Sequence, residues 1–112
     1  MIYNIPNHRR GDTWDGISSI SLSANGVPLN LSGAEIAMQF RQSVDSPVAF
    51  EFTTSNNKIL ITNPLEGTFT IPPMIIDVPF QTYYYDLQIT FASGRKKTYM
   101  EGYWKIIPDI TY

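Results

Sequence analysis

The stretch Thr82-Tyr83-Tyr84-Tyr85-Asp86-Leu87-Gln88-Ile89-Thr90-Phe91 decides the fold. Tyr83, Tyr85, Leu87, Ile89 and Phe91 alternate with Tyr84, Asp86, Gln88 and Thr90. An alternation of this kind puts an apolar row on one side of a strand and a polar row on the other. Ala92-Ser93-Gly94-Arg95 then reads as a turn. The chain resumes as a return strand over 98–106, on which Met100, Trp104 and Ile106 point inward and Gly102 leaves room for a neighbour or a bulge. The segment therefore predicts a long hairpin at the centre of a sheet.

The same period recurs on either side of it. Ile36, Met38 and Phe40 share a face against Glu35, Gln39 and Arg41, and Val48, Phe50 and Phe52 repeat the pattern. Ser43-Val44-Asp45-Ser46-Pro47 joins the two as a second hairpin. Residues 14–23 read as one strand with Trp14, Ile20 and Leu22 on its inner face, closed by the hairpin signal Asn25-Gly26. Residues 58–62 and 68–71 form a further pair across Asn63-Pro64-Leu65-Glu66-Gly67. Pro72, Pro73 and Pro79 bracket a segment barred from the middle of a sheet, so an extended crossover or one helical turn is expected there.

No window supports a long amphipathic helix. About seven or eight short strands predict an all-β, immunoglobulin-like two-sheet antiparallel sandwich, with a small β-barrel as the competing topology. The 112 residues divide into an N-terminal arm, residues 1–10, and a single sandwich domain, residues 11–112. A chain of this length can bury one core without metal or disulfide.

Charged residues make up 16% of the chain, against roughly 25% in an average domain, which suits a protein partly covered by others. A net charge of -2 with eight Lys and Arg provides no electrostatic footprint for nucleic acid. The basic run Arg95-Lys96-Lys97 reads as a solvated hairpin tip. No stretch is long and apolar enough for a helical membrane span. The N-terminal residues lack the pattern of a signal peptide, so use without signal-peptide secretion is expected.

With no cysteine, thiol nucleophiles and Cys–zinc sites drop out, and one histidine, His8, supports neither a catalytic triad nor a histidine metal site. Asp86 and Glu101 face one another across the long hairpin in a straightforward register, and so would repel rather than share acid–base work. The glycines are scattered singly at turns, with no phosphate loop. The tripeptide Arg10-Gly11-Asp12 is read as chance rather than an adhesion motif. The expectation is a non-enzyme with no cofactor and no metal.

What remains is aromatic. Tyr84, Tyr99 and Tyr103 are the candidate interface on the outer side of the last hairpin, since tyrosine offers rigid contact area with a polar tip. Arg9 and Arg10 end the N-terminal arm, which is expected to dock on a neighbouring subunit by adding a strand to an open sheet edge.

Three segments carry a resemblance. They are Arg10-Gly11-Asp12-Thr13-Trp14, then Asn25-Gly26-Val27-Pro28-Leu29-Asn30-Leu31-Ser32-Gly33-Ala34 leading into 36–41, and Tyr83-Tyr84-Tyr85-Asp86-Leu87-Gln88-Ile89-Thr90 followed by Gly94 and Glu101-Gly102. In order and spacing they resemble small tail and baseplate modules of tailed bacteriophages, including the N-terminal domain of upper baseplate proteins of lactococcal-type phages. The chain departs from that pattern in its proline-rich segment between Ile71 and Thr82 and in ending at Tyr112, before any fibre stalk. The resemblance implies an immunoglobulin-like structural or adaptor protein of the virion, in the tail, baseplate, neck, fibre base or head decoration. Its partners would be other virion proteins, in a homo-oligomeric or multi-copy arrangement, without nucleic acid or membrane. The alternative function is a carbohydrate- or receptor-binding module taking a host-surface glycan.

Overall fold

The computed structural model describes residues 2–108. Met1 and residues 109–112, read from sequence as the start of the arm and the end of the domain, lie outside the described residues. Twelve strands run β1 (Ile5–Arg9), β2 (Thr13–Trp14), β3 (Ile17–Ser21), β4 (Ser23–Ala24), β5 (Val27–Pro28), β6 (Glu35–Arg41), β7 (Val48–Thr53), β8 (Leu60–Asn63), β9 (Thr68–Ile71), β10 (Met74–Ile75), β11 (Gln81–Thr90) and β12 (Lys96–Ile107). One 3₁₀ turn, Pro64–Glu66, joins β8 to β9, and these are the elements among the described residues. The protein is an all-β sandwich: a five-stranded sheet ordered β1-β12-β11-β6-β7 carries one wall of the core, and the sheet β3-β9-β8 with the pairs β10-β2 and β4-β5 carries the rest.

The alternation works as expected. Tyr83, Tyr85, Leu87 and Ile89 of β11 are buried, and they meet Ile36, Met38 and Phe40 of β6 and Met100, Trp104 and Ile106 of β12 within one core. From the other wall come Trp14, Ile20, Leu22, Leu29, Leu31, Ile59, Phe69 and Ile71. Trp104 stands where the walls meet, with the Trp14 ring 4.7 Å away and Phe40 at 5.7 Å. Its indole N–H donates to the Pro6 carbonyl at 3.0 Å.

Two expectations change and one open alternative is settled. Residues 14–23 do not form one strand, because Gly16 adopts φ +74 and presses against the Ile71 carbonyl, where a Cβ would sit 2.1 Å from that oxygen. The break sends β2 to β10 and β3 to β9, yet Trp14, Ile20 and Leu22 all stay buried. The proline segment takes the extended option, with Met74 and Ile75 pairing Trp14 and Thr13. Residues 5–9, expected in an arm that docks elsewhere, instead form β1, a parallel edge strand on β12 of the same chain. Burial of Ile5 and the bond from Trp104 supply the reason: the segment completes its own core.

Burial pushes the phenols of Tyr83 and Tyr85 above their ordinary value of 10.0, most strongly at Tyr85, where the Tyr3 phenol adds to the effect. Tyr85 donates to the Tyr3 carbonyl, and Tyr83 to the Pro79 carbonyl at 2.6 Å. Because the folded pKa lies above the unfolded one, this stabilisation is whole below pH 10.0 and is lost as pH rises beyond it. Urea midpoints compared at about pH 8 and about pH 11 are expected to fall steeply for the wild type and less for Tyr85→Phe. Equal slopes in the two proteins would remove Tyr85 from the account.

Candidate docking face

The pairing that buries Tyr83 and Tyr85 turns Tyr84 and Tyr103 outward. They lie directly opposite one another in the β11–β12 register, and Arg41 lies opposite Tyr84 on its other side, on β6. Tyr84 is 46% exposed and Tyr103 43%. Ile2, bridged in parallel to Glu101, and Val44, from the β6–β7 turn, are exposed at 74% and 84% and line the same shallow depression as Tyr84 and Tyr103. Four apolar side chains therefore meet on the outer face of the large sheet. An apolar residue amid the turn formers 43–47 was the available sequence signal for Val44; nothing local marked Ile2.

The next row on this face is polar. Across β12, β11, β6 and β7 it reads Glu101, Asp86, Gln39 and Glu51, each opposite the next. Gln39 donates to Glu51 at 3.3 Å and accepts from Arg41 at 3.1 Å. Arg41 reaches Asp86 at 3.7 Å, while Glu101 makes no ion pair among the described residues. Like charges directly opposite on a sheet are unfavourable. A cavity of about 160 Å³ opens between Tyr84, Arg41, Asp86, Glu101, Ser43 and Val44.

The other candidates sit elsewhere. Tyr99 does not join Tyr84 and Tyr103: β12 has a bulge, with Leu87 opposite Met100 and Gln88 opposite Thr98, so Tyr99 has no opposite residue on β11. Tyr99 is half-buried, edge-on to Phe91 at 6.2 Å, with the Lys97 ammonium over its ring. Arg10 is spent within the chain, pairing Asp77 at 3.2 Å and donating to the Val78 carbonyl at 3.1 Å. Arg9, on β1, donates weakly to the Pro108 carbonyl at 3.4 Å. His8 Nε2 donates to the Asp12 carbonyl at 2.9 Å. Among the described residues no group of three or more His, Cys, Asp or Glu is placed to hold a metal ion, and no helix is long and apolar enough to cross a membrane.

In comparisons with known proteins, the chain matches no family model and no curated protein.

Proposed function

We propose that the chain is a non-enzymatic structural or adaptor protein of a tailed-bacteriophage particle, acting by protein–protein docking through the outer face of its five-stranded sheet. The observation that carries the docking half is the meeting of Tyr84, Tyr103, Val44 and Ile2 on one exposed surface. Tyrosines with flanking aliphatics supply rigid, dehydratable contact area, the composition that concentrates binding energy at interfaces. The virion setting rests on the resemblance of the three segments 10–14, 25–41 and 83–102 to tail and baseplate modules. A particle needs many copies of a rigid domain with a contact face and no chemistry, and localisation in the virion follows.

The test is the Tyr84→Ala/Tyr103→Ala variant, whose copy number per purified particle, read by quantitative mass spectrometry, is expected to fall roughly tenfold or more. Both side chains are exposed, so the thermal midpoint of the isolated domain should barely move. Immunogold labelling of wild-type particles locates the protein; its absence from them overturns the virion reading.

One observation favours a second reading, a carbohydrate- or receptor-binding module. The cavity beside Tyr84 brings Asp86, Glu101 and the Arg41 guanidinium to one aromatic surface. A glycan array probed with wild type and Tyr84→Ala separates the two: a signal that depends on Tyr84 favours the glycan, and silence favours the protein partner.

A further inference from the structure

We infer that the outer face of the five-stranded sheet is self-complementary and that its occupant is a second copy of this chain, packed face to face about a two-fold axis. The inference rests on the docking reading above and names its partner.

On β11 the outward residues run Tyr84, Asp86, Gln88, Thr90, and their neighbours on β12 are Tyr103, Glu101, Thr98 and Lys96. Gln88 is flanked by Thr98 and, on β6, by Ala37. The row Ala37–Gln88–Thr98 is thus uncharged and includes two small side chains. One step to one side of it stand Gln39, Asp86 and Glu101; one step to the other stand Glu35, Thr90 and Lys96. The two β12 charges nearest the Gln88 row are therefore opposite in sign, Glu101 on one side and Lys96 on the other, with Lys105 two rows beyond Glu101.

A two-fold axis lying along that row and in the plane of the face reverses the strand direction while keeping each strand over its own mate. It sets Glu101 of one copy against Lys96 of the other, twice. It places Gln88 against Gln88, where two amides can exchange hydrogen bonds. It also carries the hairpin tip of the second copy, residues 92–95, over Tyr84 and Tyr103. Arg95, Lys96 and Lys97 are exposed, and neither Lys96 nor Glu101 has an ion-pair partner within the described residues.

The opposed carboxylates Asp86 and Glu101, unfavourable in one copy, gain a cation in the pair. About that axis β12, β11 and β6 overlap over residues 84–92 of the central hairpin, roughly 400 Å² per copy, the size of a weak, salt-sensitive contact. Two twisted sheets of one hand pack face to face in aligned fashion.

Charge reversal tests this without disturbing the core, since Glu101 and Lys96 are both exposed. Sedimentation velocity on the full chain at low ionic strength should show a monomer–dimer equilibrium that weakens with added salt. Glu101→Lys alone and Lys96→Glu alone should each weaken dimerisation roughly tenfold or more, through two like-charge contacts per pair. An equimolar mixture of the two variants restores one attractive contact at each end and should regain dimer, as should the doubly reversed chain. Circular dichroism confirms that each variant is folded.

A wild type that stays monomeric to about 100 μM, the weak end of the affinity range for a specific contact of this size, overturns the inference. So does dimerisation that survives the single reversals, or a mixture that fails to regain it. Those failures leave the docking reading intact where Tyr84→Ala/Tyr103→Ala still empties the particle, so the two are distinguishable.

Discussion

Trp104→Ala is expected to lower the unfolding free energy by about 3–5 kcal/mol, the usual cost of deleting a large buried aromatic ring. Domains of this size have about 5–15 kcal/mol in all, so the variant should melt roughly 20 °C lower and be partly unfolded at physiological temperature. The size of the effect follows from where the ring sits. Trp104 is fully buried and touches both walls of the sandwich: Trp14 at 4.7 Å from one, Phe40 at 5.7 Å and Phe52 at 6.4 Å from the other. It also holds the edge strand β1 through its bond to Pro6, with the His8 ring 6.1 Å away. No single neighbour can collapse into that space without leaving another wall. Trp104→Phe retains most of the packing and loses the bond, and about 1–2 kcal/mol is expected. Urea unfolding followed by circular dichroism reads both. A loss below about 1 kcal/mol for the alanine variant would mean that the walls repack around the gap.

Gly102→Ala should act on a different part of the molecule, the attachment of the first residues. A Cβ at position 102 would lie 2.1 Å from the Tyr3 carbonyl oxygen, a backbone atom that cannot swing aside. Relief requires residues 2–4 to leave β12. Three bonds go with them: Tyr3 N–H to the Glu101 carbonyl at 2.9 Å, the Tyr103 N–H to Asn4 Oδ1 at 3.2 Å, and the Tyr85 hydroxyl to the Tyr3 carbonyl. At about 1 kcal/mol for each, with a further penalty for the buried hydroxyl, the expected loss is about 3 kcal/mol. Hydrogen exchange should show fast exchange at Tyr3 and Tyr103 while the amides of β6 and β11 stay protected. Unchanged protection at Tyr3 would mean that the backbone yields locally. The Ile2 side chain leaves the docking face in this variant, so dimerisation and particle incorporation should weaken as well.

Much of this was legible in the residues. The alternation in 82–91 and 36–40 assigned every inward side chain of β11 and β6 correctly, because a strand's two faces are set by neighbours two apart and need no distant contact. Asn25-Gly26 announced its turn for a comparable reason: both residues adopt positive φ, at 53 and 78, which that pair tolerates better than others. The requirement for space at Gly102 was visible too, although its occupant was not.

The errors share one cause. Tyr99 was grouped with Tyr84 and Tyr103 by counting along β12, and a bulge of one residue ended the count. Arg10 was assigned outward in an arm, whereas Asp77 and the Val78 carbonyl, far along the chain, bind it. The strand expected over residues 14–23 was split by the carbonyl of Ile71 pressing on Gly16.

By itself, the sequence determined that the chain is all-β, which side chains face the core, and that Tyr84 and Tyr103 face away from it, since each of these follows from a local period. Only the tertiary structure decided that residues 5–9 complete the large sheet as a parallel strand, and that Ile2 and Val44 arrive beside the two tyrosines. Those placements join residues some forty to a hundred positions apart. They are settled by which edges and cavities the assembled sandwich leaves to be filled, a property of the packed whole that no local pattern records.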